Sequence, residues 1–380
     1  MSNDLTYMKR ALRLARKGLF TVGENPRVGC VIVKNGVIIG EGFHETTGNP
    51  HAEINALANV QGSAEGADVY VSLEPCCHHG LTPPCTESLI KTKVSTVIIC
   101  NTDPNPLVAI PQGGMGGIAA LRAAGITVTH SLLAKQGRKL NPGFFARMQI
   151  GLPFVRVKLA QSLDGRTAMA SGESYWITGK KARRDVQYWR ARSHAIITGI
   201  GTVRQDDCRM SVRADELPKK YKNLPHNFDI YQPMRVVLDT HLRILADAKI
   251  LQTVGRCVVM TSATPSTTKR TKIKALQKQG AEIISMPLDR EGKLDLKAVL
   301  TWLGREQINE VLVEAGAVLA GQFINKKLAN ELIIYTAPIL MGASARPLID
   351  IKIDTMDKRL RLRKVKLKHL GKDWRIIANL

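Results

Sequence analysis

The sequence predicts an α/β protein of two consecutive domains, and three observations carry that prediction. At 380 residues the chain is longer than one hydrophobic core usually organises. Strand-length apolar runs alternate with helical patterns from end to end. Between them, "LNPGFFARMQIGLP" (140–153) interrupts the periodicity with Pro and Gly, which places the domains at residues 1–147 and 148–380.

The elements of the first half follow in order. "YMKRALRLARKG" (7–18) puts Met8, Ala11, Leu12 and Ala15 on one helical face. "VGCVIVKNGVIIGEGFH" (28–44) is a hairpin turned by Asn35-Gly36. A helix over 51–60, a strand over 67–73, a helix after Pro84 and a strand over 94–100 come next. A helix near 116–124 and a strand over 126–132 complete an α/β/α layer of about five strands, with the sheet covered on both faces. In the second half, strands are expected at 154–160, 194–199, 235–239, 257–261, 281–285 and 310–314, and near 331–337 and 373–379. Helices are expected at 179–191, 266–279, 295–304 and 317–326, and the polar stretch 214–233 reads as a surface excursion.

The formal net charge is +23, which suits nucleic acid, anionic lipid or phosphorylated small molecules alike. The densest basic run, "KRLRLRKVKLKHL" (358–370), alternates charged and aliphatic residues at period two, as in a strand whose charged face protects a sheet edge. Aromatic residues make up only 5% of the chain, too few to interleave such a stripe with stacking platforms for nucleic acid. No run of 18 apolar residues occurs, and "MSNDLTYMKR" lacks the features of a signal peptide, so a cytoplasmic protein without membrane contact is expected. Seven cysteines in a reducing compartment point to metal or catalytic use rather than bridges.

Chemistry concentrates at two places. His51-Ala52-Glu53 opens a helix, and Pro75-Cys76 ends a strand before Cys85 begins the next helix. One imidazole and two thiolates form a zinc tripod with an open fourth position, the composition of a catalytic site. Helix N-termini favour thiolates, and Glu53 is placed to shuttle protons without binding the metal. This order is the signature of zinc-dependent nucleobase deaminases, although eight residues rather than two separate the cysteines here. A structural site drawing on Cys77, His78 and His79 is the alternative reading. In the second half no Gly-x-Gly-x-x-Gly follows a strand. Two strand-to-helix turns, "GIGT" (199–202) and "EAGAVLAG" (314–321), offer backbone N–H groups to a pyrophosphate, with Lys158 and Glu314 at strand ends.

At "NPRVGCVIVK" (25–34), "HAE" (51–53), "LEPCCHHGLTPPC" (73–85), "DPNP" (103–106), "KLAQSLDGRTAMASGESYWIT" (158–178) and "VEAGAVLAGQF" (313–323) the chain resembles the bifunctional riboflavin-biosynthesis deaminase-reductase family. The likeness runs over essentially the whole chain. It implies a cytidine-deaminase-like α/β/α domain followed by a dihydrofolate-reductase-like α/β domain. The first would hydrolyse the ring amine of a diaminopyrimidinone phosphoribosylamine with Zn2+, and the second would reduce the ribosyl group of the product to ribityl with NADPH. A homodimer formed through the reductase domain is expected.

Residue by residue, the resemblance assigns His51, Cys76 and Cys85 to zinc and Glu53 to proton transfer. Asn25, His44, His78, Asp103 and Asn105 match the pyrimidine pocket. Lys158, Asp206 and Glu314 match the reductase centre, while Ser174, Arg190, Met210, Arg213 and Glu314 match substrate positions, the arginines being suited to phosphate. Ala160, Trp176, Thr202, Asp206, Thr240 and the run Gly316, Ala317, Val318, Leu319, Ala320, Gly321 and Gln322 match the cofactor side. Three departures stand out: Leu81 replaces a usual Lys or Arg, Cys208 replaces a usual Pro in "DDCRM" (206–210), and "IPQGGM" (110–115) is an insertion. Two rival readings are a nucleic-acid base deaminase with a C-terminal binding domain and a zinc-stabilised module without catalysis. The scarcity of aromatics argues against the first, and Glu53 beside an open ligand position against the second.

Overall fold

The computed structural model describes residues 2–79, 83–109, 116–217, 230–262 and 267–380. The chain forms two compact units, residues 1–151, which also take in Tyr231, and the remainder from Leu152 onward. Leu81 and the 110–115 insertion lie outside the described residues, as does most of the polar stretch 214–233.

The first unit is built on a five-stranded sheet in the order β2-β1-β3-β4-β5. Its strands are β1 (Gly29–Lys34), β2 (Val37–Phe43), β3 (Asp68–Val71), β4 (Thr96–Ile99) and β5 (Thr127–His130). The β1–β2 turn holds Asn35 and Gly36 at φ of 51° and 78°, the mirror-image turn that matches strand twist. β1 runs antiparallel to β2 and β3, whereas β3, β4 and β5 are parallel. Alternate residues feed opposite cores. Cys30, Ile32, Val69, Val71, Val97 and Ile99 pack against α2 (Ala52–Ala58) and α3 (Cys85–Lys91). Val31, Val33, Tyr70 and Ile98 pack against Met8, Ala11 and Leu12 of α1 (Ser2–Ala15). Three further helices are α4 (Pro106–Ala109), α5 (Gly117–Ala123) and α6 (Ala134–Leu140).

The junction, where Pro and Gly interrupt the periodicity, holds a helix. Residues Pro142–Ile150 form a helix, α7, with Pro in its first turn and Gly151 in the left-handed conformation behind it. The Pro and Gly that interrupt the pattern are thus its start and stop signals. Phe144 and Phe145 bury it in the first unit's core.

The second unit carries a nine-stranded sheet, β11-β10-β9-β8-β12-β6-β13-β16-β15. In chain order these are β6 (Phe154–Ser162), β8 (Ala195–Gly199), β9 (Met234–Leu238), β10 (Cys257–Thr261), β11 (Ala281–Ser285), β12 (Glu310–Glu314), β13 (Glu331–Ala337), β15 (Arg363–Leu370) and β16 (Asp373–Asn379). Seven are parallel, and β16 and β15 complete one edge antiparallel. Helices α8 (Lys180–Arg192), α9 (Ile200–Asp206), α10 (Thr267–Lys278), α11 (Leu296–Arg305) and α12 (Ala317–Asn325) belong to this unit. A small antiparallel pair, β7 (Arg166–Ala168) with β14 (Arg346–Pro347), lies outside the main sheet and has no sequence signal of strand length. β15 forms the sheet edge, as the period-two run predicts, yet its aliphatic side chains are exposed too: Val365 is 59% and Leu367 63% exposed.

Candidate active sites

The deaminase candidates converge in the first unit. His51 occupies the N-cap of α2 with extended backbone, so Glu53 falls in that helix's first turn. Gly42 lets α2 lie against β2, since a Cβ there would stand 2.3 Å from the Ala56 nitrogen. Cys76 lies in the loop five residues beyond β3, not at the strand end its sequence suggests, and Cys85 begins α3 after Pro84. The His51, Cys76 and Cys85 ligand atoms all lie within 4.8 Å of one another. His51 Nδ1 is 3.5 Å from Cys76 Sγ and 3.3 Å from Cys85 Sγ, and the Cys85 N–H donates to Cys76 Sγ at 3.3 Å.

The donor set fits zinc. A hydrogen bond from the Cys85 thiol, together with His51, lowers the Cys76 pKa to about 4 and raises that of Cys85, so one thiolate stands ready and the second proton is the one a metal displaces. Glu53 is buried, and desolvation followed by repulsion from Cys76 raises its pKa to about 7. Cys77 turns elsewhere, its thiol donating to the Val108 carbonyl at 3.5 Å, and the exposed His79 lies 3.4 Å from Glu87. That arrangement favours the catalytic tripod over the structural alternative.

His44 is buried, and desolvation lowers its pKa to about 4, leaving a neutral ring at pH 7. Its Nδ1–H donates to Pro50 O at 3.3 Å, and its Nε2 accepts from Asn25 Nδ2 at 3.0 Å. Its ring stands edge-on to His51 at 5.4 Å. His78 holds a buried Nδ1 with no hydrogen-bond partner. Asp103 is buried, with its pKa raised to about 7 by desolvation, and its Oδ1 accepts the Asn105 N–H at 2.8 Å.

In the second unit, parallel pairing sets Glu314 at the end of β12 beside Lys158 of β6. Glu314 is 5% exposed and accepts two bonds from Arg190 of α8, at 2.6 and 3.0 Å, while Lys158 Nζ stands 3.5 Å away. These cations hold its pKa down to about 2 despite burial. Arg190 also donates to Ser211 O at 3.1 Å and approaches Met210 Sδ at 3.6 Å. Asp206 has one buried, unpartnered carboxylate oxygen and a pKa raised by desolvation, with Ser174 and Lys158 acting the other way.

These residues line a cleft of 920 Å³ that also includes Ala160, Trp176, Thr202, Thr240 and Arg213. Gly316, Ala317, Val318, Leu319 and Gln322 line it as well. Ala320 and Gly321 do not. Both face the core side of α12, where Ala320 is fully buried and a Cβ on Gly321 would fall 2.0 Å from the Asp350 carbonyl. Arg213 lines the cleft with its guanidinium held by Glu216 at 2.7 and 2.9 Å. The loop around Cys208 is tied on both sides: Asp207 accepts the Lys249 N–H at 3.0 Å, and the Ser211 carbonyl accepts from Arg190 at 3.1 Å. Arg183, Lys293 and Arg346 line the cleft without any local sequence signal. The cleft fits a dinucleotide. Helices α9 and α12 open onto it behind Gly199 and Gly316, neither capped by a side chain, and a Cβ on Gly316 would meet only open space.

Known proteins match both halves. The cytidine and deoxycytidylate deaminase zinc-binding region matches residues 1–101, and the RibD C-terminal domain matches residues 153–376. The riboflavin biosynthesis protein RibD of Escherichia coli (strain K12) is 42% identical over 97% of each chain. That of Haemophilus influenzae is 47% identical over 92% of this chain and 90% of its own. Among solved structures, Acinetobacter baumannii RibD covers 100% of this chain and 99% of its own at 43% identity with a TM-score of 0.88. With deaminase and reductase halves both accounted for, in the expected order and fold, the nucleic-acid reading is not favoured, and the chain belongs to the RibD family of bifunctional, zinc- and NADPH-dependent riboflavin-biosynthesis enzymes.

Proposed function

We propose that the first unit deaminates a diaminopyrimidinone phosphoribosylamine and that the second reduces the ribosyl group of the product to ribityl. The Thermotoga maritima relative, 29% identical with a TM-score of 0.83, is described as a deaminase and reductase of such phosphoribosylaminopyrimidines. The observation that carries the reading is the convergence of His51, Cys76 and Cys85 within 4.8 Å in a centre that also holds buried Glu53.

His51, Cys76 and Cys85 would hold zinc, which would supply the Lewis acidity that makes water nucleophilic near neutral pH. Glu53 accepts the water proton on its carboxylate and returns it to the ring amine, so that a C–O bond forms, the C–N bond breaks and ammonia leaves. Neutral His44, fixed between Asn25 and Pro50, presents an uncharged wall to the pyrimidine. Asp103 and Asn105 meet the ring's polar edge.

The starts of α9 and α12, behind Gly199 and Gly316, would hold the pyrophosphate of NADPH, which would supply the hydride for reduction of the ribosyl carbon. Lys158, oriented by Glu314, donates a proton to the ribose oxygen as the sugar ring opens. Asp206, deprived of a partner for one oxygen, orients the sugar hydroxyls, and Arg190 and Arg213 receive the phosphate. The test is incubation with the phosphoribosylaminopyrimidine and NADPH while ammonia and 340 nm absorbance are followed together. Stoichiometric ammonia release and NADPH oxidation are expected; ammonia without oxidation would defeat the reductase assignment.

We also propose a cytoplasmic homodimer joined through the reductase unit, supported by the free cysteines and by the exposed aliphatic face of edge strand β15. No helix among the described residues is long and apolar enough to cross a membrane. Sedimentation of Leu367→Asp should show monomer where the parent shows dimer; a monomeric parent would refute the dimer.

A further inference from the structure

Glu74 takes no part in the chemistry above, yet three segments of the deaminase unit meet at it. It stands two positions before Cys76 and is 7% exposed. Both of its carboxylate oxygens are occupied by backbone donors. Oε2 accepts the Asp103 N–H at 3.1 Å, and Oε1 accepts the Ile118 N–H at 3.0 Å. Its own N–H donates to Asn101 O at 2.9 Å, so side chain and main chain together grip the segment that continues β4. Asp103 in turn receives the Asn105 N–H on its Oδ1, which folds residues 103–105 into a turn hung from Glu74.

The start of α5 is pressed onto the same point. A Cβ on Gly117 would lie 2.3 Å from Pro75 O and 3.3 Å from Glu74 Oε1, so only glycine permits the approach. One buried carboxylate therefore fixes the distance between the Cys76 loop and the Asp103–Asn105 turn. Buried N–H groups that lose an acceptor are costly; here the two donors bind different oxygens, and an amide would replace one of those oxygens with a donor.

We propose that Glu74 is a positioning residue for the deaminase: it holds the Asp103–Asn105 turn at the height, relative to the metal-ligand loop, at which that turn meets the pyrimidine. This rests on the deaminase reading above. Because Glu74 hydrogen-bonds to the Asp103–Asn105 turn and the start of α5 and is not itself one of the three ligands, its loss should act on substrate binding while the tripod survives.

The test uses the full-length zinc-loaded protein and compares Glu74→Gln with the parent. The parent must first release ammonia, since its failure to do so would sink the function and leave this inference aside. Glu74→Gln should raise the deamination KM about tenfold or more with zinc content unchanged, and reduction of deaminated substrate should be untouched. Hydrogen–deuterium exchange should accelerate in the segments containing Asp103 and Ile118. An unchanged KM, or zinc loss in step with activity, would show a merely structural carboxylate. Should Glu74→Gln fail to fold, Ile118→Pro removes one donor at a first-turn position where Pro is tolerated. A raised KM in that variant supports the proposal, and an unchanged one overturns it.

Discussion

Replacing Glu314 by Gln should destabilise the reductase unit by an amount that disappears in acid. Glu314 is the counter-charge for two cations, Arg190 through two hydrogen bonds and Lys158 at 3.5 Å, in a place only 5% exposed. These partners outweigh desolvation and bring its pKa from 4.5 to about 2. A folded-state pKa below the unfolded one adds stability at neutral pH, and that stability is lost as pH falls from about 4.5 through about 2. At about 1.36 kcal/mol per pKa unit the contribution at pH 7 is ~3 kcal/mol. Gln keeps the shape and leaves Arg190 and Lys158 without a counter-charge, which is the state acid produces in the parent. The assay is urea unfolding followed by tryptophan fluorescence. Trp176, Trp189, Trp302 and Trp374 all belong to the second unit, so the signal reports that unit alone. The stability gap between parent and variant should be ~3 kcal/mol at pH 7 and close progressively below about pH 4.5. A gap that stays constant down to the acid limit would refute the reasoning.

Glu53→Gln should slow ammonia release by about 10²–10⁴-fold while zinc content and reduction of deaminated substrate persist, as separate metal and substrate assays would show. Lys158→Ala should abolish NADPH oxidation and keep ammonia release; loss of both would contradict separate sites. Removing the metal with a chelator should stop deamination and spare hydride transfer, and added zinc should restore ammonia release.

Much of this was legible because local rules and tertiary demands agree. The Asn35-Gly36 turn, the His51 helix start and the strand end at Glu314 are each specified within a few residues, whereas Lys158, expected at a strand end, lies in the middle of β6, which runs on to Ser162. The ligand tripod is readable for a similar reason: His51 and Cys85 sit at helix starts, where the backbone aims them, and Cys76 follows β3 on the loop that leads to α3. What stayed hidden depends on contacts far apart in sequence. Nothing near Arg190 announces that it will clasp Glu314, and nothing near Glu74 announces the amides of Asp103 and Ile118. The short pair β7 and β14 forms only when residues 166 and 347 meet. Within the run 316–322, α12 turns Ala320 and Gly321 toward the core, a division that the continuous run of small residues does not display. At the junction, the Pro142 and Gly151 that interrupt the pattern bound the helix α7.

The account stands on a tripod of one nitrogen and two sulfurs, and X-ray absorption at the zinc edge of the purified protein reads that set directly. The prediction is one zinc per chain with two sulfurs at about 2.3 Å and light atoms completing four ligands. Three or more sulfurs, which would require Cys77 to join, or no zinc at all in His51→Ala and parent alike, would contradict it.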